Sequence, residues 1–246
     1  MLESERQRVI QRKLSESRPP ARSAALPTGF PGLDAALGIG GLARGSLIEI
    51  FGAPSCGKTA LSLQIVVHLQ RQNLNAAWID AEHVFDAGFA ARLGVDVSRL
   101  PVTEPQSAEE ALEMARRFTA SGAIDLVVID SAAALAPRLE IAAPLGETGG
   151  GLHARVLGSE LRRLAAMASR AGVCILLLNQ TRARLGSGEL ETSAGGAPIK
   201  LHSSVRIALS ATGRKVRFRV LKNKFAAAYL GGELEWISSR GFAEAR

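Results

Sequence analysis

The chain has 246 residues, enough for one sizeable α/β domain with a well-buried core. A hydrophobic content of 47% with 22% charged residues excludes a largely disordered chain, and the apolar runs are far shorter than the roughly 20 residues of a membrane-spanning helix. The formal net charge of +7 favours polyanionic partners such as nucleic acid or nucleotides. Because only two cysteines occur, a disulfide framework and a cysteine-rich metal site are also excluded, and we expect two free thiols.

The first 25 residues are predicted to form a short helix and a linker. Val9, Ile10 and Leu14 give residues 2–17 a narrow apolar stripe, and a segment rich in Ser, Pro and Arg follows. We expect this part to contact another subunit and the core domain to cover residues 26–246. The N-terminus has no apolar signal core, so a cytoplasmic protein is expected, with no membrane partner.

From residue 26 onward, short β-rich runs alternate with helical patterns. The predicted strands cover residues 46–51, 76–80, 126–130, 173–178, 205–209, 216–221 and 233–237. The predicted helices run from a glycine-rich turn to about residue 70, from a capping box at Ser107 and Glu110 to near Gly122, and over residues 152–171. This order predicts an α/β fold whose central sheet is mostly parallel, covered by helices on both faces and closed by antiparallel strands. Residues 181–198 are interpreted as a long functional loop.

The glycine-rich turn matches the phosphate-loop pattern G-x-x-x-x-G-K-[ST] at every fixed position. Its residues are Gly52, Ala53, Pro54, Ser55, Cys56, Gly57, Lys58 and Thr59. Such a loop cradles phosphates with backbone N–H groups, while the lysine neutralises β and γ oxygens and the Thr hydroxyl binds Mg²⁺. The motif lies between a predicted strand and a predicted helix, so we expect ATP and Mg²⁺ as ligands.

Two carboxylates at strand ends complete the expected chemistry. Asp130 ends an apolar strand, where a second-shell magnesium ligand of a phosphate-loop enzyme lies; the alternative is a turn cap. Glu82 follows the strand over residues 76–80 and is the candidate base that activates water; the alternative is a solvated loop carboxylate. Both strand ends are predicted to lie beside the phosphates.

Several further motifs, together with the phosphate loop, make the sequence similar to the RecA family of bacterial recombinases, almost continuously from Leu26 to about Phe242. They read GLDAALG over residues 32–38, IDAEH over 79–83, VIDS over 128–131, LNQ over 178–180 and KNK over 222–224. The resemblance implies a RecA-like ATPase fold, with ATP hydrolysed at interfaces between subunits of a filament or ring.

The resemblance also implies roles for individual residues. Glu82 activates water, Gln180 senses the γ-phosphate, and Lys222 and Lys224 reach the ATP of a neighbouring subunit in the manner of arginine fingers. Without the resemblance, the two lysines are alternating charges on a strand. Asp86 and Phe89 match the family's adenine contacts, although Phe89 is equally compatible with a helix core, and a third adenine-side aromatic is replaced by Ser238.

For DNA, the resemblance implies two loops, over residues 142–151 and 181–196, and the start of the helix between them. The matching positions are Arg155, Arg162 and Arg182 for phosphate contacts, Arg184 at a further basic position, Leu185 as an apolar wedge between bases, and Gly195 and Gly196 at the end of the second loop. Phosphate contacts give affinity without sequence preference. Each arginine taken alone is more typical of a solvated helix face, whereas the arginines taken together favour DNA.

The chain departs from the family pattern in places. Its second loop is about two residues shorter, with Gly186-Ser187-Gly188 in place of a bulky apolar tip, and the family's C-terminal domain and acidic tail do not follow the core strands. We therefore expect a reduced paralogue that binds single-stranded DNA with ATP and supports recombination or repair. The alternatives are an accessory or scaffold protein of an error-prone repair polymerase with little ATPase activity, and an ATPase of this fold acting on a protein target.

Overall fold

The structure is a computed structural model that describes residues 24–144, 152–182, 192–193 and 196–244, with the backbone alone for residues 152–155, 182 and 192–193. The helix predicted over residues 2–17 lies outside these ranges. The α-helices are α1 (Pro31–Leu37), α2 (Lys58–Arg71), α3 (Ala87–Arg92), α4 (Ala108–Ala120), α5 (Arg138–Ala142), α6 (Leu152–Ala171) and α7 (Gly196–His202). The strands are β1 (Ala25–Leu26), β2 (Leu42–Ala43), β3 (Leu47–Gly52), β4 (Ala76–Asp80), β5 (Val102–Thr103), β6 (Leu126–Asp130), β7 (Cys174–Arg182), β8 (Thr192–Ser193), β9 (Val205–Thr212), β10 (Lys215–Asn223), β11 (Gly231–Ile237) and β12 (Gly241–Glu244).

One large sheet organises the molecule. Its strands follow the order β12-β11-β10-β9-β3-β7-β6-β4-β5, with β8 paired to β7. The pairs from β9 through β3, β7, β6 and β4 to β5 are parallel, whereas β9–β10, β10–β11 and β11–β12 are antiparallel. The predicted α/β fold is therefore confirmed. Because the parallel strands run in one direction, β3, β4, β6 and β7 present their carboxyl ends at one edge, where ligands bind in open α/β sheets.

Hydrophobic cores lie on both faces of the sheet. On one face, Leu61 and Ile65 of α2 pack with Ile48 and Ile50 of β3. On the other face, α4 and α6 pack against alternate strand residues such as Leu47. A sheet covered on both sides needs strands that are apolar throughout, which explains the unbroken apolar run in β6. Helix α6 contributes the buried side chains of Leu157, Leu161, Leu164 and Ala168 to this core, and its bounds confirm the helix predicted over residues 152–171.

The segment interpreted as one long loop contains regular structure. Strand β7 continues to Arg182, and α7 occupies Gly196–His202. The loop interpretation was therefore wrong at both ends, because β7 is extended by pairing with β8 and α7 is anchored by the fully buried Ile199. A helix of seven residues with one buried apolar side chain has too little periodicity to be recognised in a sequence. No helix within the described ranges combines the length and the apolar character of a membrane span.

Candidate nucleotide-binding site

The phosphate loop joins the end of β3 to the start of α2, as its motif predicts. Gly57 has φ of 94°, and a Cβ atom at this position would lie 2.4 Å from Cζ of Phe242. A Cβ atom on Gly52 would lie 2.4 Å from the carbonyl oxygen of Leu209. Side chains are therefore excluded at both glycines by close approach of other parts of the fold. The result is a tight turn that opens directly into the 14-residue helix α2, whose N-terminus carries a partial positive charge.

The ammonium group of Lys58 lies inside the curve of this loop. The side chain is 8% exposed, and its Nζ donates hydrogen bonds to the carbonyl oxygens of Gly52 at 3.1 Å and Ala53 at 2.8 Å. These bonds place a full positive charge beside the backbone N–H groups at the start of α2. The arrangement suits the phosphate chain of a nucleotide.

Thr59 and Asp130 meet at the carboxyl ends of β3 and β6. Thr59 Oγ1 donates to Asp130 Oδ2 at 2.9 Å. Burial raises the pKa of Asp130 to about 6; the nearby Glu82 and Asp80 add to this, whereas the Thr59 hydrogen bond and Lys58 oppose it. A buried carboxylate destabilised in this way favours a nearby cation, and the two oxygens are of the hard type that Mg²⁺ prefers. The residues therefore fit a magnesium ion that takes its remaining ligands from phosphates and water.

Glu82 is held between two neighbouring strands. Its backbone N–H and that of Ala81 both donate to the carbonyl oxygen of Asp130, at 3.2 and 2.7 Å. Its Oε1 accepts a hydrogen bond from Ser131 Oγ and another from Gln180 Nε2 at 3.1 Å. The candidate base and the expected γ-phosphate sensor are thus in direct contact, beside the Thr59–Asp130 pair.

Two residues that position Glu82 were missed in the sequence. Asp80 is 1% exposed, and its carboxylate accepts hydrogen bonds from the backbone N–H groups of Glu82 and Phe85 at 3.2 and 2.7 Å, which fixes the turn after β4. Ser131 binds Glu82 directly. Both residues belong to motifs, Asp80 to the one over residues 79–83 and Ser131 to the one over residues 128–131. Asp80 ends a buried strand and Ser131 directly follows one at the same edge of the sheet, and this placement was the signal that could have identified them.

Comparison with known proteins identifies the family of this site. The chain matches the RecA N-terminal domain family over residues 10–243. The chain belongs to the RecA family. Protein RecA of Gluconacetobacter polyoxogenes is 40% identical over 92% of this chain and 69% of its own length, and Protein RecA of Thermus aquaticus is 42% identical over 88% and 67%. The crystal structure of a RadB recombinase is similar in fold, with a TM-score of 0.72 at 20% identity, covering 90% of this chain and all of that one. RecA membership supports a role in recombination and repair.

A buried ionic network lies directly before Gln180 in the sheet. Glu49 is fully buried in β3; its Oε1 accepts from Asn179 Nδ2 at 2.8 Å, and its Oε2 forms an ion pair with Arg206 at 2.5 Å. Asn179 Oδ1 in turn accepts from the backbone N–H of Gln180 at 2.9 Å. The network therefore joins β3, β7 and β9 directly before Gln180. Its only sequence signal was a glutamate between Ile48 and Ile50 in an apolar strand.

Lys222 and Lys224 lie apart from Lys58 and Glu82, because β9 separates β10 from β3. Lys222 Nζ donates to the carbonyl oxygens of Lys200 and Leu201 at the end of α7, at 2.6 and 3.3 Å. Burial lowers the pKa of Lys222, and the charges of Lys224 and Arg206 lower it further against the opposing effect of Glu49. We name this region the cationic edge; it comprises Arg162, Lys200, His202, Arg206, Lys222 and Lys224.

The residues matched to adenine contacts lie at the start of α3. Asp86 Oδ1 accepts from the backbone N–H of Phe89 at 2.8 Å, so this carboxylate caps the helix. Phe89 is half-buried and packs against the hydrophobic core, with its ring centroid 6.5 Å from that of Trp236, so its position agrees with the helix-core alternative as well. Ser238 is exposed just after β11.

The residues matched to DNA contacts are described only in part. Arg162 is exposed on α6, and Gly196 is exposed at the first position of α7. Arg155 and Arg182 are placed by their backbone on α6 and at the end of β7. Arg184, Leu185 and Gly195 lie outside the described residues, and their roles remain predictions.

Both cysteines are free and buried, as expected. Cys56 Sγ lies 3.9 Å from Lys58 Nζ, yet burial outweighs this positive charge and raises the pKa of the thiol. Burial raises the pKa of Cys174 to about 12. Since the thiolate is the reactive form, Cys56 behaves as a small buried residue of the phosphate loop.

Proposed function

We propose that this protein is an ATP-dependent single-stranded DNA-binding ATPase of the RecA type, which acts in homologous recombination and repair by assembling on DNA. The observation that carries the proposal is the 3.1 Å hydrogen bond between Gln180 and Glu82. It joins the candidate base to a sensor on β7, the strand that continues to Arg182 at the start of the second expected DNA loop. One strand therefore links the site of hydrolysis with the site of DNA contact.

Each residue at the sheet edge has its own role in phosphoryl transfer. Lys58 and the N-terminus of α2 hold the phosphates, and Glu82 orients or deprotonates the attacking water. A magnesium ion, held by Thr59 and Asp130, would neutralise the developing charge on the phosphate oxygens. Asp80 and Ser131 act by positioning Glu82 rather than by contacting the substrate.

The coupling of ATP hydrolysis to DNA binding would depend on which group the side-chain amide of Gln180 binds. When a γ-phosphate competes for the amide of Gln180, its hydrogen bond to Glu82 rearranges, and the end of β7 moves with it. Gln180 lies directly before residues 181–196, the second expected DNA loop. The Glu49–Asn179 contact keeps the strand before Gln180 fixed, so the change is directed toward the loop.

The cationic edge supports assembly and contact with polyanions. Burial lowers the pKa of His202, and the positive charges of Arg162, Lys224 and Lys222 lower it further against the opposing effect of a backbone hydrogen bond with Gly158. Such a concentration of like charge is destabilising unless an anion approaches it. In the proposed function, these anions are the ATP of a neighbouring subunit and the phosphates of DNA.

The test is ATP hydrolysis measured with and without single-stranded DNA, at low and moderate salt, over a range of protein concentrations. We expect DNA to stimulate hydrolysis, with a rate per subunit that rises cooperatively with protein concentration because the lysines act across an interface. A low rate of hydrolysis that depends on neither DNA nor protein concentration would contradict the proposal. That outcome would favour the accessory role beside a repair polymerase.

A further inference from the structure

A line of polar side chains crosses the sheet from β7 to β10. Glu49 of β3 is the direct cross-strand neighbour of Arg206 on β9, and Arg206 is that of Lys222 on β10, so the three share one face. Asn179 joins the line from β7, since its Nδ2 donates to Glu49 Oε1 at 2.8 Å. The line therefore begins directly before Gln180 and ends at a lysine of the cationic edge.

A β-bulge brings Lys222 into this line. The register between β9 and β10 shifts between Val220 and Lys222, so that Leu221 is an extra residue and Lys222 lies opposite Arg206. In an unshifted register Leu221 would take that position, and Lys222 would point to the other face, because side chains alternate along a strand. The bulge thus places two positive side chains opposite each other, which is unfavourable unless a negative group lies nearby.

Glu49 supplies that negative group. It is fully buried, and its Oε2 pairs with Arg206 Nε at 2.5 Å. The guanidinium of Arg206 also lies 4.5 Å from the ring centre of Phe51, one position before the phosphate loop, so it is held from two sides. Burial and the charges of Lys224 and Arg206 lower the pKa of Lys222, whereas Glu49 opposes them and favours the charged lysine.

The contacts of Lys222 fix its position at the end of α7. Its Nζ donates to the carbonyl oxygens of Lys200 and Leu201 at 2.6 and 3.3 Å. A buried ion pair such as Glu49 with Arg206 is often no more stabilising than apolar side chains of similar volume, so the core of the sheet does not require it. Its contacts instead extend from the strand of the sensor to Lys222, which indicates a role in placing this lysine.

We infer that Glu49, acting through Arg206, positions Lys222 for the ATP of the neighbouring subunit. Glu49 is thus a positioning residue for the site of the next subunit, in addition to its contact with the strand before its own sensor. Because Lys222 acts in trans only in the proposed function, this role of Glu49 rests on that function.

The test separates the subunit that supplies the lysine from the subunit that hydrolyses ATP. Lys222→Ala subunits keep Glu82 but lack the lysine, whereas Glu82→Gln subunits turn over little ATP but still present Lys222. The two are mixed on single-stranded DNA with Glu82→Gln in excess. Turnover per Lys222→Ala subunit should then rise at least about tenfold, because the neighbouring subunit supplies the missing charge.

The change Glu49→Gln is then added to the Glu82→Gln subunit. The new amide oxygen still accepts from Asn179, but the charge opposite Arg206 is lost. These subunits should therefore restore the turnover of the Lys222→Ala subunits about tenfold less well. Because the ATP site of the added subunit is already inactive, an effect of Glu49 confined to its own site cannot produce this loss. ATP binding by the dilute Glu49→Gln chain should be unchanged.

A second variant replaces both charges of the ion pair. Glu49→Met with Arg206→Met fills the same space with apolar side chains, and thermal unfolding checks that the chain remains folded. Built into the Glu82→Gln subunit, this change should also fail to restore turnover, because Lys222 loses both neighbours. Glu233→Gln is the control: it removes the partner of Lys215 at 2.8 Å, elsewhere on β10, and should restore turnover fully. Turnover is normalised to the subunits that sediment with DNA.

Full restoration by either Glu49 variant would overturn the inference, because the ion pair would then serve only the stability of the fold. Failure of the Glu82→Gln subunits themselves to restore turnover would instead refute the action of Lys222 in trans, which belongs to the proposed function. The two failures are therefore distinguishable.

Discussion

The phosphate site and the cationic edge differ in the partners that their charged groups have within the chain. At the phosphate site, each charged group is hydrogen-bonded to a neutral group of the same chain: Lys58 to loop carbonyls, Asp130 to Thr59, and Glu82 to Gln180. At the cationic edge, burial lowers the pKa of His202 and of Lys222, and neighbouring positive charges lower both further, with Glu49 opposing them at Lys222. The first region is therefore pre-organised by its own sequence, whereas the second is suited to an anion from outside. The comparison therefore predicts that one chain alone binds nucleotide, whereas the cationic edge acts only when another molecule supplies an anion.

The largest expected effect lies in the phosphate site. Glu82→Gln should lower ATP turnover about 10³-fold, because the amide cannot take a proton, while ATP binding persists. Steady-state hydrolysis and nucleotide binding measure the two quantities separately. Glu104→Gln is the matched control, since this nearby carboxylate is 64% exposed and pairs only loosely with His83. Turnover that survives in Glu82→Gln would remove Glu82 from the role of base.

Asp130→Asn should stabilise the protein in the absence of nucleotide and metal. Because the folded-state pKa of Asp130 is about 6 and the ordinary value is 3.8, the folded state binds more protons at this carboxyl between these values. Its contribution to the free energy of unfolding is therefore favourable below about pH 4 and is lost as the pH rises through 6. Asn keeps an acceptor for Thr59, so we expect a gain of roughly 3 kcal/mol at pH 7.5, at about 1.4 kcal/mol per pKa unit.

Denaturant unfolding of both proteins at pH 4 and pH 7.5, with a chelator present, checks this prediction. Little difference is expected at pH 4. A variant less stable than the unaltered chain at pH 7.5 would show that the ionised Asp130 is favourable in the fold. The same variant should lose Mg²⁺-dependent hydrolysis.

Lys222→Ala tests whether the cationic edge acts in trans. We expect DNA-stimulated hydrolysis to fall about a hundredfold, less than for a lone arginine finger because Lys224 remains, whereas ATP binding by the dilute chain stays unchanged. Lys215→Ala, on the same strand but 61% exposed and paired with Glu233, is the control and should be silent. A loss of ATP affinity in the isolated Lys222→Ala chain would place this lysine in its own subunit's site.

The smallest expected effect concerns DNA contact by α6. Arg162→Ala should weaken binding to single-stranded DNA severalfold, equally for different sequences, and lower the salt slope by about one unit. Arg163→Ala removes the same charge from the same helix, but Arg163 is already paired with Glu160 at 2.9 Å and should have little effect. Titrations at several salt concentrations compare the two. Strong sequence dependence of the loss would contradict a phosphate contact.

Predictions from the sequence were most accurate where a functional motif or a clear apolar pattern marks the element. The phosphate loop, β4, β6 and α6 were predicted within a residue, because each combines a motif or an unbroken apolar pattern with clear boundaries. The placement of Asp130 and Glu82 at one edge followed from parallel strands, whereas the contact between Glu82 and Gln180 was not predicted. Asp80 and Ser131 were missed as positioning residues because their partners are backbone and side-chain atoms on other strands.

Short elements and long-range pairs escaped prediction for related reasons. Helix α7 and strands β5 and β8 have too few residues to show a period. The pairing of Glu49 with Arg206 joins positions 157 residues apart, and the edge-to-face contact of Trp236 with Phe242 depends on the register of β11 and β12. Neither the partner nor the register is visible in a single sequence.

The contact of Phe242 with Gly57 has a consequence for folding. Gln64, one turn and a half into the phosphate-loop helix, is hydrogen-bonded to a residue 178 positions later in the chain. During synthesis the helix and its glycine loop leave the ribosome long before β12 exists, so the loop first forms without the ring that packs against it. Since such distant contacts form slowly, nucleotide affinity should arise late in folding, as the last strand docks.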